Sequence, residues 1–321
     1  MVTAAPAPRL RAALLAAAVA LAFADASIVV LALPPIYGQF DTTVVGVSWV
    51  ITSYAVVVAV VGLVLALVHR RWRVPALPVL QVGLALFALA SVACGLAPSM
   101  AWLIAARCAQ AAGATPLLRA ALGTFEATRG ARPGRRIWSL AATVGLAIGP
   151  ALGGVLTEAF DWQAIFLAQA PVALAAFVLS LVGGHARAPA PGVDAGAGRD
   201  GQPTPAAIWL ADAALVLTSA ALVGALFLGV LLVIEVWRYS PVAGAVVVSA
   251  LPVGVFAVRP LRRAAGPTAR VAVGCGALAA GLAALALLPA PSGWWAAAAL
   301  AVCGIGFGLV DPVSGGMAES A

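Results

Sequence analysis

Apolar residues run in blocks of about twenty along this chain, separated by short polar breaks rich in arginine and glycine. The blocks read as spans at roughly 11–34, 46–68, 74–96, 100–123, 136–158, 163–183, 206–236, 242–260, 270–289 and 293–313. A helix rises about 1.5 Å per residue, so each block can cross about 30 Å of hydrocarbon. The blocks are too long and too continuously apolar for the alternating segments of a membrane barrel. In lipid a backbone must satisfy its own hydrogen bonds, and a helix does so within one segment. The pattern therefore predicts an all-α polytopic membrane protein with ten spans. The first block opens like a secretory leader, with Arg9 and Arg11 ahead of Ala22-Phe23-Ala24, but stays apolar to Leu33, so an uncleaved first helix is expected.

The breaks assign a direction. If ten spans alternate, 15 arginines fall on one side: Arg9 and Arg11, then Arg70, Arg71 and Arg73, then Arg129 to Arg136, then Arg187 and Arg199, then Arg259 to Arg270. The other side carries only Arg238. Basic residues accumulate on the cytoplasmic side of membrane proteins, which predicts a cytoplasmic N-terminus and a multi-pass protein of the cell (plasma or inner) membrane. Tryptophan follows the same register. Trp49, Trp102, Trp162, Trp237, Trp294 and Trp295 fall at outer ends, and Trp72, Trp138 and Trp209 at inner ends, as an interfacial belt requires.

Composition sharpens the reading. Of 321 residues, 64% are hydrophobic and 9% charged, against about a quarter charged in a soluble domain. That leaves too little polar surface for a water-facing exterior, so the lipid bilayer is the expected partner. The net charge of +7 comes from arginine alone, in clusters between apolar blocks, so no nucleic-acid partner is expected. Cys94, Cys108, Cys275 and Cys303 all lie inside apolar blocks, with no metal or disulfide spacing. No cluster of His, Asp, Glu or Cys marks a catalytic face, so neither an enzyme nor a cofactor or metal site is expected.

Residues 184–205 are a polar Gly/Pro-rich linker. They divide a six-helix bundle at 1–183 from a partial four-helix bundle at 206–321. A faint echo supports two related halves, because His69-Arg70-Arg71-Trp72-Arg73 and Arg259-Pro260-Leu261-Arg262-Arg263 each follow the second helix of their half.

Few charged residues lie deep in the blocks. Asp25 lies in the first span, where an ionised carboxylate costs at least about 2.5–3.5 kcal/mol. Either it is a proton carrier facing a wet interior, or a neighbour neutralises it for packing. Arg107 lies in the fourth span at a similar depth, roughly 12–14 Å below the outer end. Equal depth permits pairing. Protonation of Asp25 would then loosen its hold on Arg107 and bias the inward and outward states. Gln110 and Gln169 either line a cavity or join helices. In the fifth span Gly145, Gly149 and Gly153 recur every four residues, with Pro150 and Gly154 beside them. That stripe suits a close helix crossing, and Pro150 should bend its helix. Glu235, Asp212 and Asp311 lie near predicted ends and should snorkel.

With these residues in view, the sequence resembles the major facilitator superfamily, in its drug:proton antiporter branch. The likeness lies in Asp25-Ala-Ser-Ile-Val-Val-Leu-Ala-Leu-Pro34, Trp49 to Tyr54, Arg107 to Gly113, Gly145 to Gly154 with Asp161-Trp162 and Pro171, and Tyr239-Ser240-Pro241. It implies a major-facilitator-like fold and secondary transport, with proton-coupled efflux of small amphipathic or drug-like molecules. It also implies proton coupling and substrate handling by Asp25, Arg107 and Gln110. The antiporter motif would be Gly145, Gly149, Pro150, Gly153 and Gly154, and the cytoplasmic gating loop Arg70, Arg71 and Arg73. Three departures stand out. Val30 replaces a usual Asn, and Ala66 and Arg70 occupy the places of the loop's usual Gly and Asp. The two extra central helices of the fourteen-helix members are missing, with only a linker in their place, and the second half stops two helices short. The alternative expectation is thus a truncated or degenerate transporter-like membrane protein without transport activity.

Overall fold

The computed structural model describes residues 8–71, 75–182, 226, 229–258, 266–287 and 292–310. The chain divides into two compact units, Met1–Ala190 and Pro191–Ala321.

The first unit is helical among its described residues. Its elements are α1 (Pro8–Ile28), a 3-10 turn (Val29–Ala32), α2 (Leu33–Gln39), α3 (Val44–Arg71), α4 (Ala76–Gly95), α5 (Met100–Arg129), α6 (Ala131–Ala159), α7 (Gln163–Leu167) and α8 (Gln169–Val182). They match the first six expected spans within a few residues. The first span is bent by 47° between Arg9–Asp25 and Val29–Gln39. Its cause is readable in Pro34 and Pro35, which have no N–H to offer to Val30 and Leu31 one turn back. The turn tightens, and Leu33 N–H takes the carbonyl of Val30 instead. The sixth span is one span with a local irregularity at Ala168, between α7 and α8 and just before Pro171.

The helices alternate in direction. Arg11 at the start of α1 reaches the carbonyl of Val182 at the end of α8. Gln81 near the start of α4 reaches Ser180 of α8. Between α5 and α6 the connection is the single residue Gly130, at φ +91°, a conformation that disfavours side chains. Arg135 and Glu126 pair across that turn at 3.4 Å. Arg9, Arg11, Arg71 and the run from Arg129 to Arg136 consequently collect at one end of this bundle. The core between the helices holds Leu15, Val19, Leu84, Phe87, Leu117 and Phe125.

Glycine sets how closely the helices cross. A Cβ on Gly145, Gly149 or Gly153 would overlap Ala20, Ser27 or Ile28 of α1, so the glycine stripe of α6 lies against the bent span. Opposite that stripe, Leu140, Val144, Ile148, Leu152 and Val155 are exposed as an apolar face. Gly83 of α4 and Gly113 of α5 meet each other's backbone in the same way.

In the second unit the described elements are a π-helical turn (Leu231–Val236), α9 (Pro241–Val248), α10 (Ala250–Ala257), α11 (Pro267–Ala286) and α12 (Gly293–Val310). They correspond to the end of the seventh expected span and to the eighth, ninth and tenth. Gly254 and Gly304 bring α10 onto α12, while Gly274, Gly281 and Gly306 bring α11 onto it. Across the described residues six helices are long and apolar enough to cross a membrane, or seven if the bent first span counts as one. The fourth expected span, α5, is a continuous helix of 30 residues whose charges lower its hydropathy. The chain is a helical multi-pass membrane protein.

One expectation needs correction. Trp162 does not join an interfacial belt but is buried, bonding Gln39 at 2.6 Å and packing edge-on against Phe40 and Phe166. α6 runs unbroken from Ala131 to Ala159, with Pro150 inside it. The linker at 184–205, Arg73, Asp212 and Asp311 lie outside the described residues, as do the side chains of Arg70 and Glu235. Arg71 is exposed at the end of α3.

Candidate functional site

The deepest polar site of the first unit is assembled from five spans, each chosen for a different reason. Asp25 sits on α1 where the first span bends, and Arg107 projects from α5 toward it. Their side chains pair at 2.6 Å, Arg107 Nη1 to Asp25 Oδ2, and both residues are buried. A buried pair of this kind holds only with further hydrogen bonds around it, and here both partners make them.

The same Nη1 donates to Gln110 Oε1 at 2.6 Å, one turn along α5. Arg107 Nε donates to the carbonyl of Val50 on α3 at 3.3 Å. The guanidinium lies over the ring of Tyr54, 4.1 Å from its centroid, and 5.6 Å from that of Phe166. Such stacking offsets part of the lost hydration of a buried cation. Val50 and Tyr54 are one turn apart on α3, so this helix offers Arg107 a carbonyl and an aromatic face together.

On the carboxylate side, Gln169 Nε2 donates to Asp25 Oδ1 at 2.9 Å. Gln169 is the first residue of α8, just past the irregularity in the sixth span, and its amide also reaches back to Ile165 O at 3.0 Å. Gln110 Nε2 donates to Gln169 Oε1 at 3.3 Å and to Ser91 Oγ at 2.9 Å. Ser91 in turn donates to Phe87 O on its own helix. The Cys94 thiol lies 3.6 Å from Gln110 Oε1. Asp25, Arg107, Gln110, Gln169 and Ser91 are all buried.

Asp25, Arg107 and Gln110, singled out from the sequence, thus meet at one point. Gly145, Gly149, Pro150, Gly153 and Gly154 are buried on α6, and the glycines at 145, 149 and 153 face Ala20, Ala24, Ser27 and Ile28 of α1, on either side of Asp25. Ser91 carried no signal of its own, being one serine in an apolar helix. Tyr54 was visible only as part of a motif, and Gln169 only as one of two polar candidates. The spacing of Gln110 one turn after Arg107, at i+3, was the local cue that these two act together.

The comparisons with known proteins extend over much of the chain. A family model described as Major Facilitator Superfamily matches residues 15–321. The multidrug resistance protein Stp of Mycobacterium tuberculosis is 37% identical over 169 residues, covering 50% of this chain and 30% of that protein. The methylenomycin A resistance protein of Streptomyces coelicolor is 32% identical over 162 residues, covering 49% of this chain and 34% of that protein. The drug efflux pump JefA of Mycobacterium tuberculosis is 33% identical over 165 residues, covering 50% and 32%. The matched stretch therefore spans about a third of each of these relatives. In fold, the chain is similar to a bacterial homolog of the human lysosomal transporter Spinster in an inward-facing, occupied conformation. The TM-score is 0.70 at 20% identity, over 97% of this chain and 74% of that one.

Proposed function

The chain belongs to the Major Facilitator Superfamily, and on that premise we propose that it is a secondary active transporter, exporting small amphipathic or drug-like molecules in exchange for protons. The observation that carries this reading is the buried ion pair of Asp25 and Arg107 at 2.6 Å. A carboxylate far from water is a costly thing to keep in a membrane, and its natural use there is to take up and release a proton. When Asp25 is ionised, it holds Arg107 across α1 and α5. When it is protonated, the charge attraction is gone, and the helices are free to change their relative position. That is the element an alternating-access cycle requires: two arrangements, biased by one proton.

The drug-resistance names of the similar proteins support efflux as the direction and small molecules as the cargo. Arginines collected at one end of the first bundle support a cytoplasmic N-terminus in the cell membrane. Arg70, Arg71 and Arg73 would then form a cytoplasmic gating loop. The partners of this reading are the substrate, protons and the bilayer.

The test is dye efflux from proteoliposomes holding the full chain under an imposed pH gradient, with ethidium as the first probe. The parent chain drives dye movement with the gradient, and Asp25→Asn abolishes the coupling. Full gradient-driven transport by Asp25→Asn sinks the assignment of Asp25. No transport by a well-folded parent chain favours the alternative of a transporter-like protein without activity.

A further inference from the structure

The side-chain amide of Gln169 occupies a position with an unusual set of demands. Nitrogen Nε2 has two hydrogens, and both are taken. One goes to Asp25 Oδ1 at 2.9 Å, the other to Ile165 O at 3.0 Å. Its oxygen accepts from Gln110 Nε2 at 3.3 Å. Gln110 is held in the same sense, with its own nitrogen giving to Ser91 and its oxygen receiving from Arg107. The two bonds that end on the carboxylate both come from donors, Gln169 Nε2 and Arg107 Nη1.

Asp25 Oδ1 therefore faces an amide donor and Oδ2 faces the Arg107 donor. Among the described residues, the hydrogen bonds to the two oxygens come from donors alone. An ionised carboxylate needs donors only, and this cage suits it. A neutral carboxyl carries a hydrogen that must be given to something, and neither of these donors can accept it. The nearest remedy is rotation of the Gln169 amide, which turns Oε1 toward Asp25. That rotation sets Nε2 against the Nε2 of Gln110, and the Ile165 carbonyl loses its donor, because Oε1 now stands where Nε2 stood and cannot donate.

Ile165 and Gln169 lie on the two sides of the irregularity between α7 and α8. The bond between them is a strap across it. We propose that Gln169 is a positioning residue that ties the protonation state of Asp25 to the sixth span: proton uptake at Asp25 turns the Gln169 amide and releases its hold on Ile165. The inference rests on Asp25 being the proton site, as proposed above. The titratable and charged groups facing Asp25 are Arg107 from α5, Tyr54 from α3 and Cys94 from α4. None of these three sits on the sixth span. The Gln169 amide is thus the side-chain hydrogen bond that links Asp25 to that span.

The experiment is an infrared pH titration of the full chain in lipid nanodiscs. The protonated-carboxyl band of Asp25 is identified by its loss in Asp25→Asn. In Gln169→Met, which keeps the length and loses both donors, the band should appear at higher pH, with its midpoint displaced by about one unit, the equivalent of one hydrogen bond to a charge. An unchanged midpoint overturns the role of Gln169 and leaves Asp25 as the proton site. Absence of any titrating band assigned to Asp25 overturns both readings. A second measurement uses the unsubstituted chain, so it does not depend on how Gln169→Met folds. With ¹⁵N in the glutamine side chains, the Gln169 amide resonance should shift with the same pH midpoint as the Asp25 band. A resonance that stays fixed through that midpoint also overturns the proposal.

Discussion

The hydroxyl of Ser27 on α1 donates to the carbonyl of Leu146 on α6, at 3.3 Å. Leu146 is four residues before Pro150, so its carbonyl is the one that proline leaves without a helical partner. A hydroxyl from a neighbouring helix thus offers that carbonyl a share of its one hydrogen. The same hydroxyl also reaches Ala24 O at 3.1 Å on its own helix. Gly149 makes the bond possible, because a Cβ there would occupy the place of the Ser27 oxygen. Proline, glycine and serine form one joint between the first and fifth spans, two residues from Asp25.

This joint predicts a thermodynamic coupling. Ser27→Ala should destabilise the chain by about 1–2 kcal/mol, the cost of leaving a buried carbonyl unmet. In a Pro150→Ala background the restored N–H supplies Leu146, and the cost of Ser27→Ala should fall to near zero. Thermal unfolding of the four chains in one detergent measures the cycle. Equal costs in both backgrounds would refute the pairing.

Glycine substitutions should divide by location. Gly145→Ala and Gly149→Ala push a methyl group into Ala20 and Ser27, and should destabilise by about 1–3 kcal/mol through overpacking. Gly123→Ala, on α5, meets nothing within 4 Å and should be neutral or gain up to about 1 kcal/mol from helix propensity. Melting temperatures of the three variants decide the matter.

The buried ion pair should be more costly to halve than to remove. Arg107→Met leaves Asp25 buried without its cation and should cost about 3–5 kcal/mol. Combining it with Asp25→Asn should recover part of that loss, with an interaction energy of about 1–3 kcal/mol in a double-mutant cycle. Arg107→Lys keeps the charge, but a compact ammonium cannot take the places of both Nε and Nη1 or lay a planar group over Tyr54, so it should not restore parent stability. Denaturation in mixed micelles gives these values.

Cysteine labelling tests the packing directly. Cys275 is exposed, whereas Cys94 and Cys303 are buried. A membrane-permeant maleimide should modify Cys275 in the folded chain and reach Cys94 and Cys303 only after unfolding. Mass spectrometry of labelled peptides reports the order.

The spans were legible because lipid imposes a simple rule on sequence: about twenty apolar residues per crossing. Nine of the ten expected spans meet helices at their expected places, and most of the seventh lies outside the described residues. The glycine stripe of the fifth span was also legible, since a four-residue repeat of small side chains can serve only a close crossing. Asp25 and Arg107 declared themselves by their cost, as charges in an apolar block. What the sequence could not specify was which groups would meet that cost. Equal depth allowed Asp25 and Arg107 to pair, but depth does not give the rotation of a helix about its axis. Only the packed bundle turned Gln169, Ser91 and Tyr54 inward, and only there did Trp162 leave the interface for the interior. The position of a residue along a span follows from its own segment. The face it presents follows from neighbours far away in the chain, and those contacts exist only once the helices are packed.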